Sequence, residues 1–568
     1  MKWTKKDSCE TIRDVFLRNI GAKDISEIND WFIRSRAEKY RLNDVDAASG
    51  LIRRFKDKSV TIVGDYDADG ICASSIILLS LRYLGFKNVR VRIPKRFSEG
   101  YGLSQKIIDE IDNGLIITVD NGITAINEIE SAKEKGLAVI VTDHHLPETE
   151  GKLPDADIVI DPKALPTSAD FDGYCGAGIA YKLACRMLDE HEDGNRIKKM
   201  LLPFAGIASV TDVMPLREEN YVFVKDSLSK LTDQRYLTTG LYALICALNL
   251  SHHVSSKDIG FKIGPSINAA SRMKDDGADD VLRLLTFNGS YEEAVKMAEA
   301  LVAVNEDRKE AKKTGLEKAH QIIEENCLFG DAPLVINIPD IQPGIIGIIA
   351  GSLADEFKIP AFVLSGSGIL KGSARTHGNY NVKEALDKVS ELLEGYGGHV
   401  GAAGLSVSEE KFKELRAALQ ENFSKDGYEL TATGNNEYVY DLAISAKDIP
   451  KAVSEVSSYE PFGEGNPEIR FKVDNFVALP KYGDYYKTMG NGTVVKLSSV
   501  NASAIGFGLA DRFSDPKSSK DLDLVGTLSE NYFGGTREAQ IEFMDFIQKK
   551  PESIETPLAM RLRKLSTS

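Results

Sequence analysis

Five short apolar runs constrain the fold of this chain more than any other feature. They are SVTIVGD (59–65), NVRVRIP (88–94), GLIITVD (114–120), LAVIVTD (137–143) and ADIVID (156–161). Helix-like stretches such as GICASSIILLSLRYLG (70–85) and AINEIESAKEKG (125–136) separate several of them. Runs of this kind are typical of strands buried on both faces, so the alternation predicts a doubly wound, parallel-sheet α/β domain.

The rest of the chain predicts further domains, since 568 residues exceed what a single core supports. Residues 290–326 lack proline and show helical spacing, which predicts a long connecting helix. A second, glycine-rich α/β unit begins at APLVINIP (332–339), and β-type runs with Gly, Asn and Asp turns follow from about 430. We therefore expect six segments: 1–57, 58–287, 288–330, 331–428, 429–550 and a tail at 551–568.

Composition narrows the class of protein. The net charge of −15 argues against a nucleic-acid partner, although a local basic groove can lie on an acidic body. The six cysteines are scattered without a CxxC pair, which indicates buried free thiols rather than disulfides or zinc ligands. The sequence has no signal-peptide core and no run of membrane-span length, so we expect a cytoplasmic protein without a membrane partner.

Carboxylates and imidazoles gather where the predicted strands end, and ligands bind at that edge of such sheets. They are Asp65, Asp67, Asp69, Asp120, Asp143, His144 and His145. A last acid, Asp212, comes from VTDVMPL in the mostly helical region that follows. A single Asp at a strand end is equally typical of a helix N-cap, so the prediction depends on the whole set. Oxygen ligands with one or two imidazoles suit Mn²⁺ or Mg²⁺, and this many anions suits two ions with one bridging carboxylate. Phosphodiester or phosphoanhydride hydrolysis is the chemistry of such a pair.

Glycine-rich and basic motifs offer contacts for a phosphate. They are PKRFSEGYGL (94–103), GPSINAASRM (264–273), KGSARTHGNY (371–380) and GYGGHVGAAG (395–404). The candidate residues in them are Arg96, Asn268, Arg272, Ser373, Arg375 and His399. Glycine lets the backbone approach a phosphate, and Arg and Ser donate hydrogen bonds to it. Each motif alone is also typical of a loop turn or of a solvated arginine.

Taken in order, DYDADG, VDNG, DHH, VTDVMPL, GPSINAASR, KGSAR and GGHVGAAG resemble the motifs of the DHH phosphoesterase superfamily. With YEPFGEGNPEIRF (459–471), the set is most similar to the RecJ family of single-strand-specific 5′→3′ exonucleases, over residues 50–550. The resemblance implies a DHH catalytic domain at 58–287 and a DHH-associated substrate-binding domain at 331–428. It also implies an OB-like nucleic-acid-binding domain at 429–550, where Tyr482, Tyr485, Tyr486 and Phe507 suit base stacking. The alternative interpretation for most of these rings is barrel core.

The resemblance also implies the roles of individual residues. The metal ligands would be Asp67, Asp69, Asp120, His144 and Asp212, with Asp65 and His145 in or beside the set. Asp120 would bridge two Mn²⁺ or Mg²⁺ ions, and Asp120, His144 and His145 would be the catalytic residues. Ser373, Arg375 and His399 would hold a substrate phosphate, helped by Arg96, with Asn268 and Arg272 as further substrate contacts. The implied function is exonucleolytic hydrolysis of single-stranded DNA in recombination and repair, by a monomer that works with a single-stranded-DNA-binding protein or helicase.

Four positions depart from the pattern that is usual in that family. Ser266 and Ser352 stand where arginine is common, Gln342 stands where histidine is common, and Asp161 replaces an asparagine. None is an expected metal ligand, so we expect hydrolysis to survive with a weaker hold on the substrate. Two alternatives stay open. A phosphodiesterase for short oligonucleotides or cyclic dinucleotides would not need the C-terminal domain, and a non-catalytic DNA-binding scaffold would not need the complete ligand set.

Overall fold

Two units make up this computed structural model, which describes residues 2–147, 151–426, 437–490, 492–533 and 536–549. One unit contains residues 1–27 and 435–568, and the other contains residues 28–434. The lead-in expected at 1–57 is therefore divided between the two units, and the tail expected at 551–568 lies outside the described residues. The N-terminal elements are β1 (Lys2–Lys5), α1 (Ile12–Ile20), α2 (Ile25–Arg36) and α3 (Val45–Arg53).

A five-stranded parallel sheet forms the first domain of the larger unit. Its strands are β2 (Val60–Val63), β3 (Val89–Arg92), β4 (Leu115–Val119), β5 (Ala138–Thr142) and β6 (Ile158–Ile160), in the order β3-β2-β4-β5-β6. All five apolar runs are thus confirmed as strands. The strand order reverses between β2 and β4, and ligands bind at such a switch point in open α/β sheets.

Two hydrophobic cores lie on the two faces of this sheet, because successive side chains along each strand point to opposite faces. Ile62 and Ile117 contribute to one core, and Val63 and Ile116 contribute to the other. Helix α4 is buried from residue 68 to residue 81, which explains why its sequence is apolar on nearly every side. The helices of this domain are α4 (Ala68–Tyr83), α5 (Gln105–Asp109), α6 (Ile126–Glu134), α7 (Gly176–Leu188), α8 (Gly194–Thr211), α9 (Glu218–Leu228), α10 (Thr239–Ala247), α11 (Ser256–Asp258), α12 (Gly264–Met273) and α13 (Gly277–Leu285). A π-helical turn (Ile259–Ile263) precedes α12.

The predicted connecting helix is confirmed as α14 (Tyr291–Glu325), whose N-cap Ser290 accepts a hydrogen bond from the N–H of Glu293. The second domain then forms a mixed five-stranded sheet in the order β10-β11-β9-β8-β7, in which only β7 and β8 pair in parallel. Its elements are β7 (Leu334–Asn337), α15 (Pro343–Phe357), β8 (Ala361–Ser367), β9 (Ile369–Arg375), α16 (Val382–Asp387), β10 (Gly395–His399), β11 (Ala402–Ser408) and α17 (Phe412–Lys425).

The smaller unit is rich in strands, as the sequence predicts. Its elements are β12 (Glu437–Tyr440), β13 (Leu442–Ser445), α18 (Ile449–Ser458), β14 (Arg470–Val477), β15 (Tyr486–Met489), β16 (Val494–Ser498), β17 (Ser503–Phe507), β18 (Asp521–Phe533) and β19 (Thr536–Gln548). Seven strands form one sheet in the order β13-β14-β18-β19-β17-β16-β15. The sheet is mostly antiparallel, but β13–β14 and β17–β19 pair in parallel. Strand β1 pairs in parallel with β12, which ties the N-terminus to this unit.

The expectation about the cysteines is met in part. None of the six cysteines forms a disulfide, and three of them (Cys72, Cys175 and Cys185) are buried. Cys327 is exposed, which corrects the expectation that the thiols are buried, because it follows the end of α14 at the surface. Within the described ranges, no helix has both the length and the apolar character that a membrane span requires.

Candidate active site

The DYDADG segment turns directly from β2 into α4 and places three carboxylates at the edge of the sheet. Asp67 is the N-cap of α4, and its side chain accepts hydrogen bonds from the N–H groups of Asp69 (3.0 Å) and Gly70 (3.1 Å). Gly70 is required at this turn because a Cβ there would lie 2.6 Å from the Cβ of Asp65. Asp67 therefore serves as a helix cap, yet its second carboxylate oxygen is left for another ligand.

The charged forms of Asp65 and Asp67 are both unfavourable at this turn. Asp65 is buried, and its Oδ1 has no hydrogen-bond partner within the described residues. Burial, followed by the charge of Asp67, raises the pKa of Asp65 well above its ordinary value. Burial, followed by the charge of Asp69, also raises the pKa of Asp67. A cation at this turn would offset both effects.

Asp69 is held by the amino end of another helix. Its carboxylate oxygens accept hydrogen bonds from the N–H groups of Gly176 and Ala177, each at 2.7 Å. These amides begin α7, where the helix dipole also favours an anion. Gly176 has a second constraint, since a Cβ there would lie 2.4 Å from the Cβ of Asp120. The first turn of α7 therefore positions two of the predicted ligands.

Asp120 lies at the carboxyl end of β4 in a left-handed backbone conformation, with φ of +63°. It is buried, and its Oδ1 lies 3.1 Å from Nε2 of His144 without forming a hydrogen bond within the described residues. Burial raises the pKa of Asp120 well above its ordinary value, and the charges of Asp69 and Asp67 raise it further. The strained backbone and the orphaned oxygen together mark Asp120 as a residue placed for a ligand.

The two histidines of the DHH motif have different environments. Nε2 of His144 lies 3.6 Å from Oδ2 of Asp212 and 3.7 Å from Oδ2 of Asp69. Burial lowers the pKa of His144 to about 4, so the ring is neutral near pH 7 and can donate a lone pair to a metal. His145 instead pairs with Asp143 at 2.8 Å. Burial lowers the pKa of His145, but this hydrogen bond and the charges of Asp143, Asp212 and Asp69 together raise it to about 9.

Asp143 supports this loop. Its carboxylate accepts hydrogen bonds from the N–H groups of Ile123 (2.9 Å) and His144 (2.8 Å) as well as from the His145 side chain. Burial would raise the pKa of Asp143, but the hydrogen bond and charge of His145 lower it overall. Asp143 is thus fully used within the protein, which separates it from the carboxylates that have free oxygens.

The ligand atoms form overlapping groups in which all atoms lie within 4.8 Å of one another. One group is Asp65, Asp67 and Asp120, a second is Asp69, His144 and Asp212, and a third is Asp120, His144 and His145. Asp120 and His144 each belong to two groups, and of these two only the carboxylate of Asp120 has two ligand oxygens with which to bridge two ions. Asp212, at the end of α8, has its pKa raised to about 8, first by burial and then by Asp69. This donor set, with its orphaned buried oxygens, fits two hard divalent ions such as Mn²⁺ or Mg²⁺.

A basic cleft lies next to this cluster, between the first and second domains of the larger unit. Its volume is about 490 Å³, and its lining includes Arg96, Arg272, Ser373 and Arg375. The cleft adjoins the acidic turn because Tyr66, between Asp65 and Asp67, also lines it, and the Arg96 guanidinium lies 4.6 Å from the centre of the Tyr66 ring. The sequence did not single out Tyr66, Lys371 or Tyr396, which also line the cleft.

Two arginines of the cleft, Arg96 and Arg272, lie near carboxylates of the acidic turn without pairing with them. Arg96, Arg272 and Arg375 form no salt bridge within the described residues; Arg375 instead donates to Ser373 Oγ at 2.7 Å. Burial, followed by Arg96 and Arg375, lowers the pKa of Arg272 to about 10. Burial and Arg96 also lower the pKa of Arg375. Such unpaired positive charge favours a bound anion of phosphate type.

Two predicted substrate contacts lie elsewhere. Asn268 supports the acidic turn, since its Oδ1 accepts a hydrogen bond from the N–H of Ala68 at 2.8 Å. His399 is exposed at the end of β10 and does not line the cleft. Among the departures from the family pattern, Ser266 is buried, donates to the carbonyl of Lys262 at 2.8 Å and accepts from Asn305 at 3.1 Å.

Sequence and structure comparisons place these features in known families. Residues 59–208 match the DHH family, N-terminal domain; residues 331–425 match the DHHA1 domain; and residues 440–545 match the RecJ OB domain. The chain is 32% identical over 505 residues to the single-stranded-DNA-specific exonuclease RecJ of Bacillus subtilis, covering 86% of this chain and 61% of that relative. It is 30% identical over 516 residues to the corresponding Haemophilus influenzae protein, covering 86% of this chain and 88% of that relative.

The fold matches a solved structure over most of its length. The crystal structure of RecJ from Thermus thermophilus in complex with Mn²⁺ superposes with a TM-score of 0.72 at 26% identity. The match covers 90% of this chain and 72% of that chain.

Proposed function

The chain belongs to the RecJ family, and on that premise we propose that it hydrolyses single-stranded DNA from the 5′ end with two divalent ions. The observation that carries this proposal is the adjacency of the acidic–histidine cluster and the basic cleft. Tyr66 connects the two, because it lies between Asp65 and Asp67 in the chain and its ring lies against Arg96 in the cleft. A terminal phosphate in the cleft would therefore place a nearby phosphodiester against the carboxylates.

We assign the metal-holding role to Asp65, Asp67, Asp69, Asp120, His144 and Asp212, with Asp120 shared between the two ions. Ions held there supply a deprotonated water and neutralise charge on the scissile phosphate. The α7 amides fix Asp69, and the neutral imidazole of His144 offers Nε2. His145 is held beside the other ligand candidates by its hydrogen bond to Asp143, and we assign it a role next to the scissile phosphate.

The substrate-holding role falls to Arg96, Arg272, Ser373 and Arg375. Their unpaired charge attracts a phosphate, and the Arg375–Ser373 hydrogen bond orients one guanidinium toward the cleft. We propose that Asn268 positions the acidic turn and does not touch DNA. Because His399 does not line the cleft, it could contact only a substrate that extends beyond the cleft.

The smaller unit offers a surface for the rest of the strand. Tyr482 is 99% exposed, and Lys481, Lys487 and Lys496 line the same cavity of about 1,060 Å³. Tyr485 and Tyr486 also line this cavity, and Phe507 is exposed, so none of the four candidate rings is buried. Bases stack on exposed aromatic rings while lysines follow the phosphates, which is how OB-folds bind single strands without sequence preference.

The test is degradation of single strands labelled at either end, as DNA and as RNA, with Mn²⁺ or Mg²⁺. We expect mononucleotides to be released first from the 5′ end of single-stranded DNA, and duplex DNA to resist. Asp120→Ala is expected to abolish release, and Arg375→Ala is expected to raise KM for 5′-phosphorylated strands. Efficient cleavage of dinucleotides but not of long strands would instead indicate a short-oligonucleotide phosphodiesterase, and binding without cleavage would indicate a scaffold.

We further propose that the protein acts in the cytoplasm as a monomer, in recombination and repair, on strands supplied by a helicase or covered by a single-stranded-DNA-binding protein. Six free cysteines support a reducing compartment. Sedimentation of the full chain tests the monomer, and the degradation rate with and without an added single-stranded-DNA-binding protein tests the partner. The segment boundaries 58–287, 331–428 and 429–550 stay part of the proposal, and limited proteolysis tests them.

A further inference from the structure

A second cavity in the larger unit contains none of the residues assigned to hydrolysis. It lies among α2, α3, α7, α8 and α9, and its volume is about 560 Å³. Seven basic and four acidic side chains line it, together with apolar side chains that include Leu202, Val222 and Phe223. This volume and mixed lining are typical of sites for one small organic ligand.

Every acidic side chain of this cavity already has a basic partner. The pairs are Lys182–Glu219 at 2.8 Å, Lys198–Glu38 at 2.6 Å, Arg36–Asp226 at 2.9 Å, and Arg186 with Asp46. Three basic side chains are left over. Arg41 pairs with Asp170, outside the cavity, at 3.3 Å, and neither Lys199 nor Lys230 forms a salt bridge in the described part of the chain. Lys230 donates to the backbone carbonyl of Asp226 at 2.8 Å, so its charge is held in place but not neutralised by a carboxylate there.

Lys230 lies near one carboxylate and two further basic side chains. Burial lowers the pKa of Lys230, Asp226 raises it, and the charges of Arg36 and Lys199 lower it again. An anion placed between Lys199 and Lys230 would relieve this repulsion and form charge-assisted hydrogen bonds with both ammonium groups. The excess positive charge therefore indicates an anionic ligand.

The remaining lining suits a ring with polar edges rather than a bare ion. Tyr181 and Phe223 pack edge to face, with ring centroids 5.2 Å apart, next to Leu202 and Val222. Tyr40 also lines the cavity, and its buried hydroxyl has no hydrogen-bond partner within the described residues. A phosphate alone would fill a small part of this space and leave the apolar side chains unused.

We propose that this cavity binds a nucleotide, with its phosphate between Lys199 and Lys230 and its nucleoside against Leu202, Val222 and Tyr181. The proposal does not depend on the exonuclease activity. The cavity lies on helices that also carry the acidic cluster, since α7 begins at the amides that hold Asp69 and α8 ends beside Asp212. A ligand there would contact both helices.

Isothermal titration calorimetry of the full chain in EDTA tests the proposal, with 5′-AMP, 5′-GMP, 5′-CMP, 5′-UMP, adenosine and inorganic phosphate as probes. Arg375→Ala is titrated in parallel, so that binding in the arginine cleft is recognised. Apart from any binding that Arg375→Ala removes, at least one nucleotide is expected to bind once per chain with Kd below about 1 mM, and at least about tenfold more tightly than adenosine or phosphate. Arg375→Ala should leave this affinity unchanged.

The double variant Lys199→Gln/Lys230→Gln is expected to weaken nucleotide binding at least about tenfold, while Lys87→Gln, at an exposed position outside the cavity, should not. If the double variant fails to fold, Asn195→Trp at the exposed rim serves instead and should block binding sterically. The proposal is overturned if no nucleotide binds, if phosphate or adenosine binds as tightly, or if Arg375→Ala removes binding while the lysine variants keep it.

Discussion

Asp120 is the residue on which the proposed chemistry most depends. It has a left-handed backbone, a buried carboxylate and a free Oδ1, and it lies 3.1 Å from His144. The left-handed backbone and the buried carboxylate with its free oxygen each cost free energy in a metal-free protein. Two divalent ions sharing this carboxylate would offset the cost, which is why we place the bridging role here rather than on the fully hydrogen-bonded Asp143.

Gly176 gives a test of this positioning in which none of the ligand residues is substituted. We expect Gly176→Ala to lower the rate of single-strand hydrolysis about a hundredfold, because its Cβ would lie 2.4 Å from that of Asp120 and displace the carboxylate. Gly178→Ala is the matched control in the same helix, where the nearest atoms lie at an ordinary 3.5 Å. Rates are compared with Mn²⁺, alongside thermal denaturation. Equal rates for the two variants would contradict the account.

At the scale of elements, the basic cleft depends on how α15 of the second domain meets α12 of the first. Gly344 lets the two helices approach closely at this contact, because a Cβ there would lie 2.2 Å from the backbone carbonyl oxygen of Arg272. Arg272 also reaches toward the carbonyl of Gly344, at 3.4 Å. The spacing of the two helices therefore sets the distance between Arg272 and the Ser373–Arg375 pair.

We expect Gly344→Ala to raise KM for a 5′-phosphorylated strand about tenfold with a smaller change in kcat, because it separates the cationic groups without touching the carboxylates. Gly351→Ala in the same helix is the control, since its nearest neighbour lies at 3.9 Å. Steady-state kinetics on strands with and without a 5′ phosphate provide the measurement. A KM that stays at the wild-type value would argue against an arginine cleft that holds the phosphate.

The positions of strands along the chain could be predicted where they depend on the local sequence alone. Apolar runs such as TIV at 61–63 predicted the buried strands, and the acids after them followed from strand direction. The supports of the site were not predictable, because they join residues far apart in the chain. Asp69 accepts from Gly176 and Ala177, and the Ala68 amide donates to Asn268. The pairing of β1 with β12 likewise joins Lys2–Lys5 to the distant Glu437–Tyr440 without a local signal.

At the scale of the whole molecule, the clustered carboxylates make stability depend on metal and pH. A carboxyl group whose pKa is raised by folding stabilises the fold fully below its unfolded value and loses that contribution as pH rises through its folded value. For Asp212 this window runs from 3.8 to about 8, with burial as the main cause. Metal-free protein should therefore lose stability across this range, while metal affinity rises as the ligands deprotonate.

We accordingly expect Mn²⁺ to raise the Tm of the full chain, and to raise it more at pH 8 than at pH 6. At about 100 times Kd, the free energy of unfolding would increase by about 2.7 kcal/mol for each ion. Differential scanning fluorimetry in EDTA and in Mn²⁺ gives both values, and Asp212→Ala should reduce the difference between the two pH values. A shift that is absent, or that is larger at pH 6, would contradict this part of the account.

The most direct test of the central claim is to measure bound Mn²⁺ per chain together with hydrolysis of single-stranded DNA, for the wild type and for Asp120→Asn. The substitution keeps the shape of the side chain and removes the charge that we assign to both ions. The account predicts that the wild-type chain binds two ions and releases mononucleotides. It predicts that Asp120→Asn loses bound metal and that its rate of hydrolysis falls by more than about a hundredfold. Wild-type hydrolysis without two bound ions, or full activity of Asp120→Asn, would contradict it.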